Sequence, residues 1–180
     1  MVTPVERTYR DEVQARAMTS AVLVGVTALV LVPAWTVFDH VLEPAFATSF
    51  LWLRLLCDLP ILLGLILLRR HPWGRQHPEL LALGMLSVVQ IEIAWMVVRA
   101  SDAREFYLLG FSLALFASGC VMAGPARWTQ ALVGVTWAAL GAFALTAPQQ
   151  MSGQDLAACG FYLGTASVIA VIAHAQRSRL

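Results

Sequence analysis

Six long apolar stretches, separated by short polar clusters, organise this chain. They run over 20–38, 46–68, 80–98, 106–123, 128–146 and 154–174. Their ends are marked by Asp39-His40, Arg69-Arg70, Arg99, Gly124-Pro125, Pro148 and the run from His174 to Arg179. Each has close to the ~20 residues that an α-helix needs to cross a hydrocarbon core of about 30 Å. The pattern predicts an all-α integral membrane fold, a bundle of six transmembrane helices. Pro33 and Pro60 fall inside the first two spans and predict kinks there. Small-xxx-small spacings at Gly119/Ala123, Gly134/Ala138 and Gly160/Gly164 permit close helix approach.

The first eighteen residues break the pattern, because Glu6, Arg7, Arg10, Asp11, Glu12 and Arg16 crowd them. Thr3, Pro4 and Glu6 make a capping-box start, and Val5, Tyr9, Val13 and Ala17 recur every fourth residue as a narrow apolar stripe. A secretory signal peptide would not carry these acidic residues. The organisation expected is therefore a short amphipathic cytoplasmic helix over 1–18, a six-helix membrane domain over 19–175, and the start of a cytoplasmic connector over 176–180.

Composition agrees. Of 180 residues 59% are hydrophobic and 13% charged, with mean hydropathy +0.71, against about 45–50% and about 25% in soluble domains. A soluble enzyme, a disordered tail and a secreted disulfide scaffold are excluded. Cys57, Cys120 and Cys159 all lie in apolar segments and read as small buried residues. The twelve basic residues are all arginine and the net charge is +1, so bulk charge implies no nucleic-acid partner.

The arginines also set an orientation. With the N-terminus in the cytoplasm, nine lie in inside segments, only Arg99 and Arg104 lie outside, and Arg54 falls within a span. Both termini are thus expected in the cytoplasm of a bacterial inner membrane. Trp35 and Trp52 then mark the outer boundary, Trp73 and Trp128 the inner one.

Ionisable groups inside spans mark function by default. Arg54 and Asp58 lie four residues apart on one face of the second span, and Glu92 lies in the third. At about 1.5 Å per residue, Arg54 is about 22 Å above Arg69 and Glu92 about 20 Å above Glu79, so Arg54 is within reach of either carboxylate. Gln90 points about 200° away from Glu92. Asp39, His40 and Glu43 read as lying just outside, at the end of the first span. Three roles fit this cluster, which lies in the outer half of the first three helices: an internal ion pair fixing helix register, a proton path, or an outward-opening pocket in that outer half. In the pocket, Arg54 would contact a polar ligand group, Asp58 and Glu92 would hold it, and Trp95, Phe106, Tyr107 or Phe111 would form apolar walls. No histidines pair at one depth for haem, His71 and His77 read as a solvated loop, and hydrolase and phosphate-loop motifs are absent from the sequence. No catalytic residue, metal or cofactor is expected.

The run Pro33-Ala-Trp35-Thr-Val-Phe38-Asp39, followed by Pro44, Phe50 and Leu53-Arg54-Leu55, resembles the start of the six-helix membrane sensor domains of bacterial signalling proteins. Those domains precede class III adenylate cyclase, diguanylate cyclase or histidine kinase domains, including the kinases that bind α-hydroxyketones. The resemblance implies a sensor and anchor acting as a homodimer and regulating a C-terminal effector, with the chain an excised membrane domain. Gly160, Gly164, Ala166, Ala170 and Ala173 would give the sixth span a face for close dimer packing. The bilayer and a small hydrophobic ligand are the implied partners. The alternative is a substrate-binding subunit of an energy-coupling-factor transporter, which would dock through small residues on its first helix, here Ala21, Gly25 and Ala28.

Overall fold

The computed structural model describes residues 4–101 and 103–177, with side chains from Asp11 onward. The expected cap at Thr3 and Glu6, the stripe positions Val5 and Tyr9, and Arg179 lie outside the described side chains. The described residues form eight helices: α1 (Pro4–Ala34), α2 (Thr36–Leu42), α3 (Ala47–Arg70), α4 (Pro72–Gln76), α5 (Pro78–Arg99), α6 (Arg104–Val121), α7 (Arg127–Thr146) and α8 (Gly153–Arg177). Six segments are long and apolar enough to cross a membrane, α1 with α2 forming the first over Asp11–Leu42. The predicted all-α six-span bundle is therefore the observed one. The amphipathic lead-in is not a separate element, since α1 continues unbroken from it into the apolar span.

Local chemistry sets the breaks. Pro33 lacks an amide donor, and α1 ends one residue beyond it, with a single residue, Trp35, before α2 begins. Pro60, by contrast, is carried within a single continuous α3. His71 caps α4 by accepting the Trp73 amide on Nδ1 at 3.2 Å, with Pro72 at the first helical position. Gly124, at φ +97°, makes the left-handed turn between α6 and α7.

Helix α5 is central, packed by α1, α3, α6 and α7, while α8 lies chiefly against α6. Apolar burial falls in two main layers. One gathers Phe50, Ala94, Val97, Leu108, Phe111 and Leu163 at the end of the bundle away from the termini, called here the distal end. The other joins Ala21, Ile61, Leu65, Ala82 and Met85 of α1, α3 and α5. Gly25 is wedged in this second layer, where a Cβ would lie 2.6 Å from Leu65 and 2.8 Å from Met85.

Polar side chains tie off the ends. Distally, Arg104 donates to the Val97, Ala100 and Gln150 carbonyls at 3.0, 2.8 and 2.5 Å and pairs with Asp155 at 2.5 Å. Asp155 forms a reciprocal cap with Ser152 at the start of α8. Near the termini, Ser20 of α1 donates to the Val121 carbonyl of α6 at 2.7 Å. Gln14 donates to the Arg75 carbonyl, and Arg177 to that of Cys120.

The small-residue spacings divide sharply. Gly119 lets α6 approach α8, since a Cβ there would lie 2.4 Å from the Ala170 carbonyl oxygen. Gly134, Gly160 and Gly164 have nothing within 4 Å of such a Cβ, so within this chain they mediate no close approach. Gly119→Ala is expected to destabilise by about 1–3 kcal/mol through overpacking. Gly134→Ala should be neutral or stabilise by up to about 1 kcal/mol through helix propensity. Thermal unfolding of the two variants in one detergent checks the contrast.

Candidate functional site

The polar site is assembled at the distal end around one guanidinium. Arg54 of α3 is 3% exposed, and Asp39, Glu92 and Tyr107 around it are exposed by 0%, 1% and 3%. Its Nε donates to Asp39 Oδ2 at 2.8 Å and its Nη2 to Asp39 Oδ1 at 3.1 Å, a two-pronged match of fork to carboxylate. Nη1 donates to Glu92 Oε1 and to the Val32 carbonyl, both at 3.1 Å. The Val32 carbonyl is available because it lies in the last turn of α1, where carbonyls lack intrahelical donors. Tyr107 of α6 completes the cluster, its hydroxyl donating to Asp39 Oδ1 at 2.8 Å.

This geometry selects among the predicted contacts. The Arg54–Glu92 pair forms. Asp58 does not pair with Arg54; its Oδ1 is buried with no hydrogen-bond partner, as is Glu92 Oε2. The principal carboxylate is instead Asp39, which the sequence placed just outside the membrane and which is wholly buried on α2. Four of the five guanidinium N–H donors are thus engaged within the chain, so Arg54 is not a free cation awaiting a ligand. Gln90 is fully buried, and both of its amide atoms lack a hydrogen-bond partner. Trp95 sits edge-on to Phe50, with ring centroids 5.8 Å apart, and carries the Arg99 guanidinium 5.2 Å above its face.

Two further polar residues are buried although the sequence puts them at span ends, Glu43 just outside the first and His174 at the end of the sixth. Glu43, 2% exposed, accepts the Ser101 and Ala103 amides on Oε1, each at 2.8 Å. Its charge therefore sits where the N-terminus of α6 favours an anion. At the opposite end His174 is wholly buried, with Nε2 2.8 Å from the Gly124 carbonyl and Nδ1 2.6 Å from the Thr129 hydroxyl. The Gly124 carbonyl only accepts, so Nε2 carries hydrogen. Charge and position alone gave neither residue a partner. Among the described residues no group of three or more His, Cys, Asp or Glu side chains is arranged to hold a metal.

Beside the cluster lies a cavity of about 390 Å³ between α1 and α6, floored by α5. Leu23, Val24, Ala28, Leu31 and Val32 line one wall, Gly110, Leu113, Ala114 and Ala117 the other, and Leu86, Val89 and Ile93 the floor. Arg54, Tyr107 and Trp35 border its distal end. Of the predicted ligand residues, Arg54 and Tyr107 reach this cavity, whereas Asp58, Glu92 and Trp95 do not line it. The suggested walls Phe106 and Phe111 do not line it either: Phe106 is exposed on the outside and Phe111 buried in the core. Nor is the cavity confined to one half of the span. From Leu23 to Trp35 it extends about 18 Å along α1.

No family model, curated protein or solved structure matches the chain.

Removing one partner from a buried, hydrogen-bonded charge cluster leaves the other charges uncompensated, at about 3–5 kcal/mol. Arg54→Ala is accordingly expected to lower stability by that amount. Arg54→Lys should recover little of it, because an ammonium cannot reproduce the fork. Tyr107→Phe should lose about 1–2 kcal/mol, and Asp58→Asn well under 1 kcal/mol, since no bond to Asp58 is broken. Denaturation of the purified variants in matched micelles gives the ranking; an Asp58→Asn loss equal to that of Arg54→Ala would contradict it.

Proposed function

We propose that this chain is a membrane sensor and anchor module. A small apolar or amphiphilic ligand occupies the α1–α6 cavity, and its presence is relayed through α6 to the C-terminal end of α8. There it regulates an attached cytoplasmic signalling effector, with two copies of the module acting as a dimer in a bacterial inner membrane. The observation that carries this reading is the position of α6. One face of α6 walls the cavity, and another is keyed into α8 at Gly119 against Ala170. A change in cavity width is thereby a change in the seat of α8.

Two further features support it. The residues that suggested a sensor domain, Trp35, Asp39 and Arg54, meet at one end of this cavity, Asp39 and Arg54 in direct contact and Trp35 packed over Gly110. The transporter alternative calls for small residues presented to a partner from the first helix. Ala21 is wholly buried and Gly25 faces Leu65 and Met85, so neither is presented, and Ala28, half-buried, is the one of the three that reaches a surface, in the wall of the cavity.

The relay is tested without any ligand. Ala117→Phe places a ring in the cavity and stands in for occupancy. Amide hydrogen exchange over residues 168–177 is expected to change several-fold against the wild type, with α3 and the buried half of α5 unaffected. Identical exchange along α8 in both proteins would sink the relay.

A further inference from the structure

We infer that the cavity takes a single unbranched hydrocarbon chain of about fifteen carbons, borne on a head group without net negative charge and admitted sideways from the bilayer. The inference rests on reading the α1–α6 cavity as the ligand site of the proposed sensor, and it names the ligand's chemistry.

Size and shape give the chain. A cavity of about 150 Å³ accommodates the six carbons of benzene, so 390 Å³ corresponds to roughly fifteen. The length points the same way: 390 Å³ spread over about 18 Å leaves a mean cross-section on the order of 20 Å², one extended alkyl chain wide. The lining of this slot is aliphatic apart from Thr27 and Ser118 along its length and the polar groups at the distal end, and Ser118 already spends its hydroxyl on the Leu115 carbonyl.

The two ends give the direction. Toward the termini, the Ser20 hydroxyl on the Val121 carbonyl closes α1 onto α6, so the terminal methyl lies there. At the distal end the slot meets Arg54 and Tyr107, so the head group lies there. Between the ends, Leu23, Leu31 and Leu113 line the cavity yet are exposed by 54%, 50% and 52%, which makes this side a lateral mouth onto hydrocarbon.

Charge decides the head group. The guanidinium that lines the slot, that of Arg54, is shared by two carboxyl groups, and four of its five donors are engaged. An incoming carboxylate or phosphate monoester would meet a guanidinium already neutralised by Asp39 and Glu92 behind it, and so would be buried without a cation of its own. A hydroxyl, ester or zwitterionic head carries no such penalty.

Brominated chains test this by quenching tryptophan at short range. The chain is reconstituted in unbrominated phosphatidylcholine vesicles, and the Trp35 signal is taken as the difference from Trp35→Phe. Chain-brominated 1-monoacylglycerols of 10 to 18 carbons are expected to quench saturably, best at 14–16 carbons and at least threefold less at either extreme. Brominated fatty acid at pH 8 should be at least tenfold weaker. Ala114→Phe and Ala117→Phe, which fill the slot at different heights, should both abolish the saturable component. Replacing part of the bilayer with brominated phosphatidylcholine separates the sources. Saturable quenching by that lipid assigns the chain to a bilayer phospholipid, and quenching by monoacylglycerol alone assigns it to a free amphiphile. Quenching linear in bulk bromine and equal in the filled variants would overturn the site. A flat chain-length profile would overturn the chain assignment, and equal potency of the carboxylate would overturn the head-group assignment. Loss of all saturable quenching while Ala117→Phe still alters α8 exchange removes the acyl ligand and leaves the relay standing; the converse removes the relay alone.

Discussion

A guanidinium inside hydrocarbon has to be paired, and the distal end of this protein is built around that necessity. Arg54 on α3 reaches Asp39 on α2, Glu92 on α5 and the Val32 carbonyl on α1, and through Asp39 it reaches Tyr107 on α6. One side chain thus fixes the mutual positions of five helices. Each bond to a charged group contributes about 1.5–3 kcal/mol net, and leaving any of these groups unmatched in a low-dielectric setting is worse. The cluster is better understood as a constraint on geometry than as a store of stability, since buried ion pairs repay little beyond their own desolvation.

That constraint makes the cavity possible. α1 and α6 are held together distally by the Arg54 cluster and near the termini by Ser20 on Val121. Between these ties the facing side chains include Ala28, Gly110, Ala114 and Ala117, too small to fill the space. Two helices held only at their ends and furnished with small residues in the middle must leave a gap. Trp35 covers its distal end by lying over Gly110, where a Cβ would sit 3.2 Å from the indole.

Much of this was legible in the residues, and what was not has definite causes. Six spans follow from hydropathy alone, and counting depth from the helix ends brings Arg54 to the level of Glu92, a contact that forms. Asp58, one turn further along α3, looks equally close on a helical wheel. Helix side chains tilt toward the N-terminus, however, so the long Arg54 side chain leans away from Asp58 and toward the end where Asp39 lies. An acidic residue also pairs better from the N-terminal side of a basic one than from four residues after it. Asp39 itself was hidden by the assumption that a span ends where polar residues begin. α2 continues past the break at Trp35 and carries Asp39 back among apolar neighbours. Small-xxx-small spacing was too degenerate to separate Gly119, which meets the Ala170 backbone, from Gly160 and Gly164, which meet nothing in this chain. His174 and Glu43 needed partners distant in sequence, the Gly124 turn and the α5–α6 loop, that no local pattern announces.

The unequal strength of the two ties determines how the bundle yields. Distally, α1 and α6 are joined through several charge-assisted bonds that are shielded from water. Near the termini the described tie between them is the bond from the Ser20 hydroxyl to a carbonyl, worth about 1 kcal/mol. Under the proposed relay, an object that widens the gap would open it about the Arg54 cluster as a hinge, with the larger displacement at the Val121 end of α6. Immediately beyond Val121 stands the Gly124 turn, whose carbonyl holds the buried His174 of α8. Under the same relay, displacement at the weak end of α6 reaches the last turns of α8 through this hydrogen bond as well as through the packing of Gly119 on Ala170. A hydrogen bond of this kind is sensitive to shifts of a few tenths of an ångström, because its strength falls steeply with distance and angle. The strong tie sets where the bundle stays still, and the weak tie sets where it moves.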